Sequence, residues 1–360
     1  MLDRFKLKEN DAVRVTEGAL RETTVSIFEK MGVPSHDCRL AADALVTADL
    51  RGVETHGVSN MLKGYVLNYQ KGLINPKPQW RILRESPAIA SIDCDGGLGI
   101  IIAPKAMEIA IEKARNVGLG MVTMRNGRHL GMASYHAMVA LKYDMIGMCM
   151  TSVRPQMVPT FGAEPRLGTN PIAVAAPADK EAPFVFDAAT TVGANNKLEL
   201  ARRSGIKLPP GWVADVVGTP IMEEVDPPAP GISRLLPLGS TREMGSHKGY
   251  GLAGVVDILS GILTGGGYGA INPPLSCNHC VIAYNIETFM DTKEFKRTMD
   301  EWIQMLKSTK PAPGHDRVLY PGLLEAECEM EYKTKGIPLH NEVIGWLRTI
   351  CSELHVPCFI

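Results

Sequence analysis

Helical patterning at the two ends of the chain constrains its fold more than any other feature. Apolar residues recur at helical spacing through residues 16–31 and 37–50, and again through residues 340–354. We expect the last of these helices to pack against the first two. The sequence therefore predicts a discontinuous helical domain made of residues 1–75 and 308–360.

The middle of the chain has a different character. Short β-like runs alternate with helical stretches after the Pro-punctuated connection Asn75-Pro76-Lys77-Pro78. Two segments approximate the usual dinucleotide-binding fingerprint, but Gly97-Leu98-Gly99 has Ile102 in place of the third small residue, and residues 265–270 follow a helix instead of a strand. The sequence therefore predicts an α/β (α+β) fold whose mixed-sheet domain spans residues 76–307, and it disfavours a Rossmann domain.

The composition of the chain excludes several classes of function. Of 360 residues, 45% are hydrophobic and 21% are charged, which is typical of a soluble globular protein. The net charge of −1 gives no electrostatic footprint for nucleic acid or an anionic membrane. No apolar run reaches the roughly 18 residues that cross a bilayer. We expect a cytoplasmic protein whose partner is a small molecule.

The eight cysteines are scattered, mostly among apolar residues, which favours reduced and buried thiols over a disulfide framework. Only Cys277-Asn278-His279-Cys280 has spacing typical of metal ligands. No second pair of matching spacing accompanies it, so we predict no metal site. We interpret this segment as a loop that enters a strand over residues 281–284.

Residues 51–59 contain the strongest candidate for proton transfer. They follow the end of a predicted helix and hold His56 between the hydroxyl of Thr55 and Gly57. A neutral imidazole titrates at about pH 6.5 and can act as acid or base, while the neighbouring hydroxyl can fix its tautomer. The alternative interpretation is a structural histidine at a helix end.

A second histidine, His129, lies between a predicted strand and a predicted helix, with glycines on both sides. Helix N-terminal amides can receive anions at such places in α/β proteins. We prefer it to His136, which falls inside the helix. Asp187 ends another β-like run, where it can orient a histidine or bind a ribose hydroxyl, or else cap the next helix.

Two later segments complete the domain. Residues 245–251 place His247, Lys248 and several glycines at the start of the most strongly patterned helix, which suits a phosphate. Residues 207–239 are rich in Pro and Gly, and we interpret them as a long surface connection.

Taken in order, six motifs resemble the type-2 malate/L-lactate dehydrogenase family. That family also contains sulfolactate and ureidoglycolate dehydrogenases and cyclic-imine-2-carboxylate reductases, and the resemblance covers nearly the full length. The motifs are Arg-Gly-x-x-Thr-His-Gly (51–57), Asn-x-x-His-x-Gly (126–131), Gly-Thr-Asn-Pro (168–171), Asp-x-Ala-Thr (187–190), His-Lys-Gly-Tyr-Gly (247–251) and Pro-Ala-Pro-Gly (311–314). The resemblance implies a non-Rossmann, NAD(P)-dependent oxidoreductase that is usually a homodimer.

The resemblance also implies roles for individual residues. Either His56, paired with Thr55, or His129 would carry the proton, since relatives differ in this assignment. Thr55 is usually serine in the family, and the change keeps the hydroxyl. The residues that correspond to the cofactor-binding loops are His129, Leu130, Gly131, Met132, Ala133, Thr169, Asn170, Pro171, Asp187, Ala188, Ala189, His247, Lys248, Gly249 and His315.

One departure from the family concerns the substrate. At the position of Asn60 or Met61 the family usually has an arginine that can bind a carboxylate bidentately. Arg51, Lys63 and Arg154 are the cations that we consider as replacements. This departure leaves open an acid other than malate or lactate as the substrate.

Together these features predict an NAD(P)-dependent dehydrogenase or reductase that transfers a hydride between nicotinamide and a small 2-hydroxy or 2-oxo acid. One alternative is a cyclic imine-2-carboxylate reductase, which would use the same chemistry on a C=N bond. Another is a dinucleotide-binding protein that has lost catalysis, which the missing arginine would explain. NAD and NADP both stay open, because no residue that reads the ribose phosphate can be placed.

Overall fold

The computed structural model describes residues 3–360. Its strands are β1 (Ala12–Val15), β2 (Arg81–Glu85), β3 (Ile89–Asp93), β4 (Leu119–Gly127), β5 (Met145–Ser152), β6 (Ile172–Ala176), β7 (Phe184–Ala188), β8 (Cys277–Asn285) and β9 (Ile337–His340). Its α-helices are α1 (Glu17–Lys30), α2 (Ser35–Leu50), α3 (Lys63–Gln70), α4 (Gly99–Val117), α5 (Ala133–Met138), α6 (Asn196–Ser204), α7 (Ser246–Val256), α8 (Thr292–Lys307), α9 (Leu323–Lys335) and α10 (Asn341–Leu354).

Seven strands form one sheet in the order β2-β3-β4-β8-β5-β6-β7. Between β3 and β4 the strands run parallel, and every other neighbouring pair within the described residues is antiparallel. The central strand β8 pairs with both β4 and β5, with Ile282 opposite Met121 and Met148. A Rossmann domain has a mostly parallel sheet. The structure therefore confirms the predicted mixed-sheet, non-Rossmann α/β fold.

One buried core lies between this sheet and two helices. Helix α4 packs against β4 and β8, and α5 packs against β5 and β6. The approach of α4 to the sheet is close, because a Cβ at Gly120 would lie 1.8 Å from the carbonyl oxygen of Ala110. This packing places the chain between β4 and α5, which contains His129, at the end of the sheet.

A second core joins the two ends of the chain. Strands β1 and β9 pair antiparallel, with Val15 opposite Ile337. Helices α1, α2 and α10 bury their apolar residues in the same cluster, and α10 confirms the predicted C-terminal helix. The proposed domain boundaries near residues 75 and 307 stay a prediction.

The interpretation of residues 207–239 as a surface connection is wrong for much of the segment. Several of its side chains are buried in a small core with α6. The buried residues of this core that belong to the segment are Leu208, Trp212, Val213 and Leu235. Composition alone gave no sign of this, because the prolines and glycines of the segment shape turns between short bridged stretches.

The segment with metal-like spacing belongs to a strand. Cys277 and Cys280 lie in β8, which begins four residues earlier than expected. All eight cysteines are free thiols, and six of them are buried. Through residues 3–360, no helix combines the length and the apolar character needed to cross a bilayer.

Candidate active site

His56 lies on the turn that follows α2. Gly52 lies between the end of α2 and this turn. Its φ of +69° is in the left-handed region, which favours glycine. The chain then makes a 3-10 turn over Glu54–His56. Thr55 Oγ1 and His56 Nδ1 share a hydrogen bond of 2.8 Å. The ring is thus held through Nδ1, and within the described residues its Nε2 has no hydrogen-bond partner.

A buried carboxylate supports this turn. Asp49, near the end of α2, accepts a hydrogen bond of 2.6 Å at Oδ1 from the hydroxyl of Ser59. A Cβ at Gly57 would lie 2.1 Å from the same oxygen, so the backbone after His56 packs directly onto the carboxylate. Burial raises the pKa of Asp49 to about 7.

His129 follows strand β4 and faces His56. Its Nδ1 lies 2.7 Å from the hydroxyl of Tyr65 and accepts a hydrogen bond of 3.2 Å from the backbone N–H of Gly131. The rings of His56 and His129 are stacked, with centroids 5.7 Å apart and planes inclined by 10°. The structure therefore brings together the two histidines that the sequence places in separate motifs.

Both histidines are neutral at ordinary pH. Burial, together with the positive charge of Lys197, lowers the pKa of His56 to about 4. Burial, and the repulsion that a protonated His56 would exert, lower the pKa of His129 to about 3. A ligand in this site therefore meets two uncharged imidazoles.

The two rings line a cavity of about 830 Å³. Pockets for small molecules and cofactors span about 300–1,000 Å³, so this cavity is at the large end of the range. The predicted site residues that line it are Arg51, Thr55, His56, His129, Gly131, Met132, Ala133, Arg154, Thr169, Pro171, Asp187, Ala188 and Ala189. Most of the motifs thus meet in one place.

Asp187 lies on the cavity wall at the end of β7. Its Oδ2 accepts a hydrogen bond of 2.7 Å from the backbone N–H of Ser134, in the first turn of α5. It does not cap the next helix along the chain, which begins only at Asn196. Solvent reaches the carboxylate through the cavity, but the surrounding protein desolvates it and raises its pKa.

Other predicted residues lie away from the cavity wall. Leu130 and Asn170 are buried without lining it. The remaining ones are Lys63, which is exposed on α3, His247, Lys248 and Gly249 in the first turn of α7, and the exposed His315. Their assignment to cofactor or substrate stays a prediction.

The cations predicted for the substrate differ in their partners. Arg51 lines the cavity, but its guanidinium is buried and donates a hydrogen bond of 2.8 Å to Glu329 of α9. Arg154 lines the cavity and is exposed. Asn60 is one of the two positions at which the family resemblance implies an arginine, and its side chain donates to the carbonyl oxygen of Thr55 at 3.2 Å.

Tyr65 and Lys197 are cavity residues that were not identified from the sequence. Tyr65 lies on α3 at the spacing of a core residue, and nothing local marks its contact with His129. Lys197 lies in the first turn of α6, and its approach to His56 depends on a contact between distant segments. No motif that we recognised contains either residue.

The mixed sheet carries no dinucleotide fingerprint, and two histidines lie on the wall of one large cavity. These features are typical of an enzyme that acts on a small molecule. The sequence model of one family, malate/L-lactate dehydrogenase, matches residues 15–348. The chain belongs to the malate/L-lactate dehydrogenase family. It is an oxidoreductase that acts on CH–OH groups, and dehydrogenases of this family depend on nicotinamide.

Individual relatives agree with this assignment. The chain is 42% identical over 363 residues to the malate dehydrogenase of Pyrococcus abyssi, with 99% of each chain covered. It is 40% identical over 342 residues to the L-sulfolactate dehydrogenase of Methanocaldococcus jannaschii, with 93% of this chain and 95% of the relative covered. The solved malate dehydrogenase of Pyrococcus horikoshii OT3 has a TM-score of 0.89 at 38% identity, with 98% of each chain covered.

Proposed function

We propose that the chain is an NAD(P)-dependent dehydrogenase that transfers a hydride between nicotinamide and a small 2-hydroxy or 2-oxo acid. The observation that carries this proposal is the pair of neutral imidazoles, His56 and His129, stacked on the wall of one cavity. Oxidation of an alcohol requires a hydride acceptor and a group that takes the hydroxyl proton. Relatives named malate dehydrogenase and L-sulfolactate dehydrogenase support a 2-hydroxy acid as the substrate.

The size of the cavity supports a nicotinamide dinucleotide, NAD or NADP, as its cofactor. Its volume of about 830 Å³ is large for a small acid alone. Asp187 accepts a hydrogen bond from Ser134 through Oδ2, and its carboxylate is exposed in the cavity. A carboxylate oxygen of this kind can accept a hydrogen bond from a ribose hydroxyl or a carboxamide. When bound, the dinucleotide supplies or receives the hydride.

The hydrogen bonds of His129 support a role in orienting the substrate's oxygen. The backbone N–H of Gly131 can only donate, so Nδ1 of His129 is an acceptor. The proton of the neutral ring then lies on Nε2, which can donate to the oxygen bonded to the carbon that loses or gains the hydride. Adding a second proton at Nδ1 would remove the hydrogen bond from Gly131.

His56 has no such restriction, and we assign it the proton. The Thr55 hydroxyl can donate or accept, so its bond to Nδ1 persists whichever ring nitrogen is protonated. In oxidation, neutral His56 takes the proton of the substrate hydroxyl, and in reduction the protonated ring returns it. The two histidines thus divide proton transfer and oxygen binding between them.

The test follows the absorbance of NADH and NADPH with a panel of 2-oxo acids and cyclic imino acids. Glutamine can present an N–H like that of imidazole Nε2 but cannot carry a proton, so His56→Gln and His129→Gln form a matched pair. We expect His56→Gln to lower kcat by about 10²- to 10⁴-fold and His129→Gln to lower it much less.

Each other outcome of this assay has a definite meaning. A larger loss of kcat in His129→Gln than in His56→Gln would assign the proton transfer to His129. Turnover of imines alone would identify an imine-2-carboxylate reductase. Tight binding of a dinucleotide without turnover of any compound would identify a binding protein that has lost catalysis.

We also propose that the chain forms a homodimer, as the family resemblance implies. One face of the segment that starts with α7 exposes large apolar side chains. They are Leu252, Val255, Ile258, Ile262 and Leu263, each between 43% and 57% exposed, and we call them the apolar stripe. Exposed apolar side chains grouped on one segment favour an interaction surface, and the family resemblance implies that a second copy of the chain is the partner.

The cytoplasm is the location we propose, as the sequence predicted. The free thiols support it, since disulfides are rare in a reducing compartment. Fractionation of cells that express the tagged chain tests this proposal, and recovery in a membrane or secreted fraction would contradict it.

A further inference from the structure

The proposed substrate carries a carboxylate, and the arginine that binds it in the family is missing here. A carboxylate inside a cavity is stable only when a cation or several hydrogen-bond donors compensate its lost hydration. The lysine and arginine residues that line the cavity are Arg51, Arg128, Arg154 and Lys197. Their existing partners distinguish them.

Two of the arginines already have protein partners. Arg51 donates to the carboxylate of Glu329 at 2.8 Å, so its charge is balanced. Arg128 donates to the carbonyl oxygens of Leu73 and Gly127 at 2.8 and 3.0 Å. Arg154 is exposed, so water screens its charge and weakens its attraction for a ligand.

Lys197 is held close to His56 by its neighbour in the chain. Asn196 donates a hydrogen bond of 2.8 Å to the carbonyl oxygen of Thr55, and its amide also lies 3.2 Å from Met61 Sδ. These contacts fix the first turn of α6 against the turn that holds His56. Lys197 and His56 both line the cavity.

The ammonium of Lys197 has no counter-ion within residues 3–360. Its Nζ lies 5.8 Å from the ring centroids of both Phe5 and Trp212, which stack on each other at 5.5 Å. The aromatic faces attract the cation weakly but do not neutralise it. Burial lowers the pKa of Lys197. An anion bound beside it would compensate the charge of the lysine.

We propose that Lys197 binds the carboxylate of the 2-hydroxy or 2-oxo acid, in place of the arginine found in relatives. This inference rests on the proposed function and names the residue that makes the enzyme specific for acids. With its carboxylate on Lys197, the substrate lies beside His56. The bound anion also offsets the charge that lowers the pKa of His56, so substrate binding makes protonation of that ring easier.

The experiment measures binding instead of turnover. Oxamate, an unreactive isostere of a 2-oxo acid, is titrated calorimetrically into the full chain saturated with NADH or NADPH, whichever binds. The variants are Lys197→Gln, Lys197→Arg and the matched control Lys207→Gln, whose lysine is exposed beyond the end of α6 and outside the cavity. Oxamide, which lacks the charge, is the control ligand.

We expect Lys197→Gln to weaken oxamate binding by about 10- to 100-fold, the range for a hydrogen bond to a charged group. Lys197→Arg should recover part of the loss because it restores the charge. Lys207→Gln should bind oxamate as the wild type does. Dinucleotide affinity should be the same in all four proteins, and oxamide binding should not depend on residue 197.

Three results would overturn the inference. The first is equal oxamate affinity in the wild type and Lys197→Gln, and the second is no oxamate binding to the wild-type complex. The third is a loss of dinucleotide affinity in Lys197→Gln, which would assign the lysine to the cofactor. Failure of the proposed function looks different. In that case oxamate binds through Lys197, but no 2-oxo acid or imine is turned over.

Discussion

The imidazoles of His56 and His129 lie face to face, 5.7 Å apart between centroids, and neither ring is charged near neutrality. Two positive charges at this distance inside the protein would repel strongly, so protonation of one ring disfavours protonation of the other. The pair therefore accepts at most one proton beyond the N–H proton that each neutral ring already carries. Transfer of one proton accompanies each hydride in the oxidation of an alcohol.

Burial of these rings makes the fold sensitive to acid. The pKa of His129 is about 3 in the folded chain and about 6.5 in an unfolded one. Between these values the unfolded state binds more protons, so the free energy of unfolding falls as the pH is lowered. One histidine contributes at most about 1.4 kcal/mol per pH unit.

We therefore expect a smaller slope of the free energy of unfolding against pH in His129→Gln. The decrease should correspond to about one fewer proton taken up on unfolding. Urea unfolding at several values between about pH 6.5 and pH 4.5 measures the slope. His36→Gln is the control, since His36 is exposed on α2 and its ring is in water. An unchanged slope in His129→Gln would show that its ring is charged in the folded chain.

Gly57 is the position where a single methyl group should damage the site most. Its φ of −88° is allowed for any residue, so the effect of Gly57→Ala is purely steric. The added Cβ would lie 2.1 Å from Asp49 Oδ1 and must displace the turn that holds His56. We expect a loss of stability on the order of 3 kcal/mol together with a loss of turnover.

The control for this substitution is Gly18→Ala in helix α1. A Cβ at Gly18 would meet no atom within 4 Å. Alanine is favoured over glycine in helices by about 1 kcal/mol, so this variant should be slightly more stable than the wild type. If Gly57→Ala and Gly18→Ala were equally stable in urea, the turn that holds His56 could move to accommodate the methyl group, and Asp49 would not fix its position.

The ion pair between Arg51 and Glu329 should respond asymmetrically to substitution. Arg51 is buried, with 7% of its side chain exposed, whereas Glu329 is 28% exposed and also bonds to Lys333 at 2.7 Å. Glu329→Met leaves a buried cation alone, which costs about 3 kcal/mol. Arg51→Met leaves Glu329 with Lys333 and should cost clearly less. Urea unfolding of both single variants and the double variant measures the difference, and equal, additive losses would contradict the asymmetry.

The sequence predicted those parts of the fold that depend on local patterns. Helix α10 follows from its apolar spacing and its start after His340. The start of β8 was missed, because a central strand is buried on both faces and shows no alternation of polar and apolar residues. The buried Trp212 was missed for a related reason, since its core forms only when α6 folds against residues 207–239.

The candidate site was predictable motif by motif but not as an arrangement. His56, His129 and Asp187 each stand in a recognisable local context, and all three line the cavity. The contact that brings Lys197 toward His56 joins Asn196 to Thr55, which are 141 residues apart. Neither helical spacing nor a motif records a contact of this kind, because it depends on how two segments pack in the finished fold.

The apolar stripe after α7 yields a last prediction, on assembly. Ile258 lies in its π turn over Asp257–Gly261 and is 55% exposed, so Ile258→Lys should cost the folded chain little. At the centre of a homodimer interface the same lysine would be buried without a partner, and sedimentation should show a shift from dimer to monomer. Val216→Lys is the control, because Val216 is 75% exposed and lies outside the stripe. A wild-type chain that sediments as a monomer would exclude the proposed dimer. An Ile258→Lys variant that stays dimeric would place the interface elsewhere.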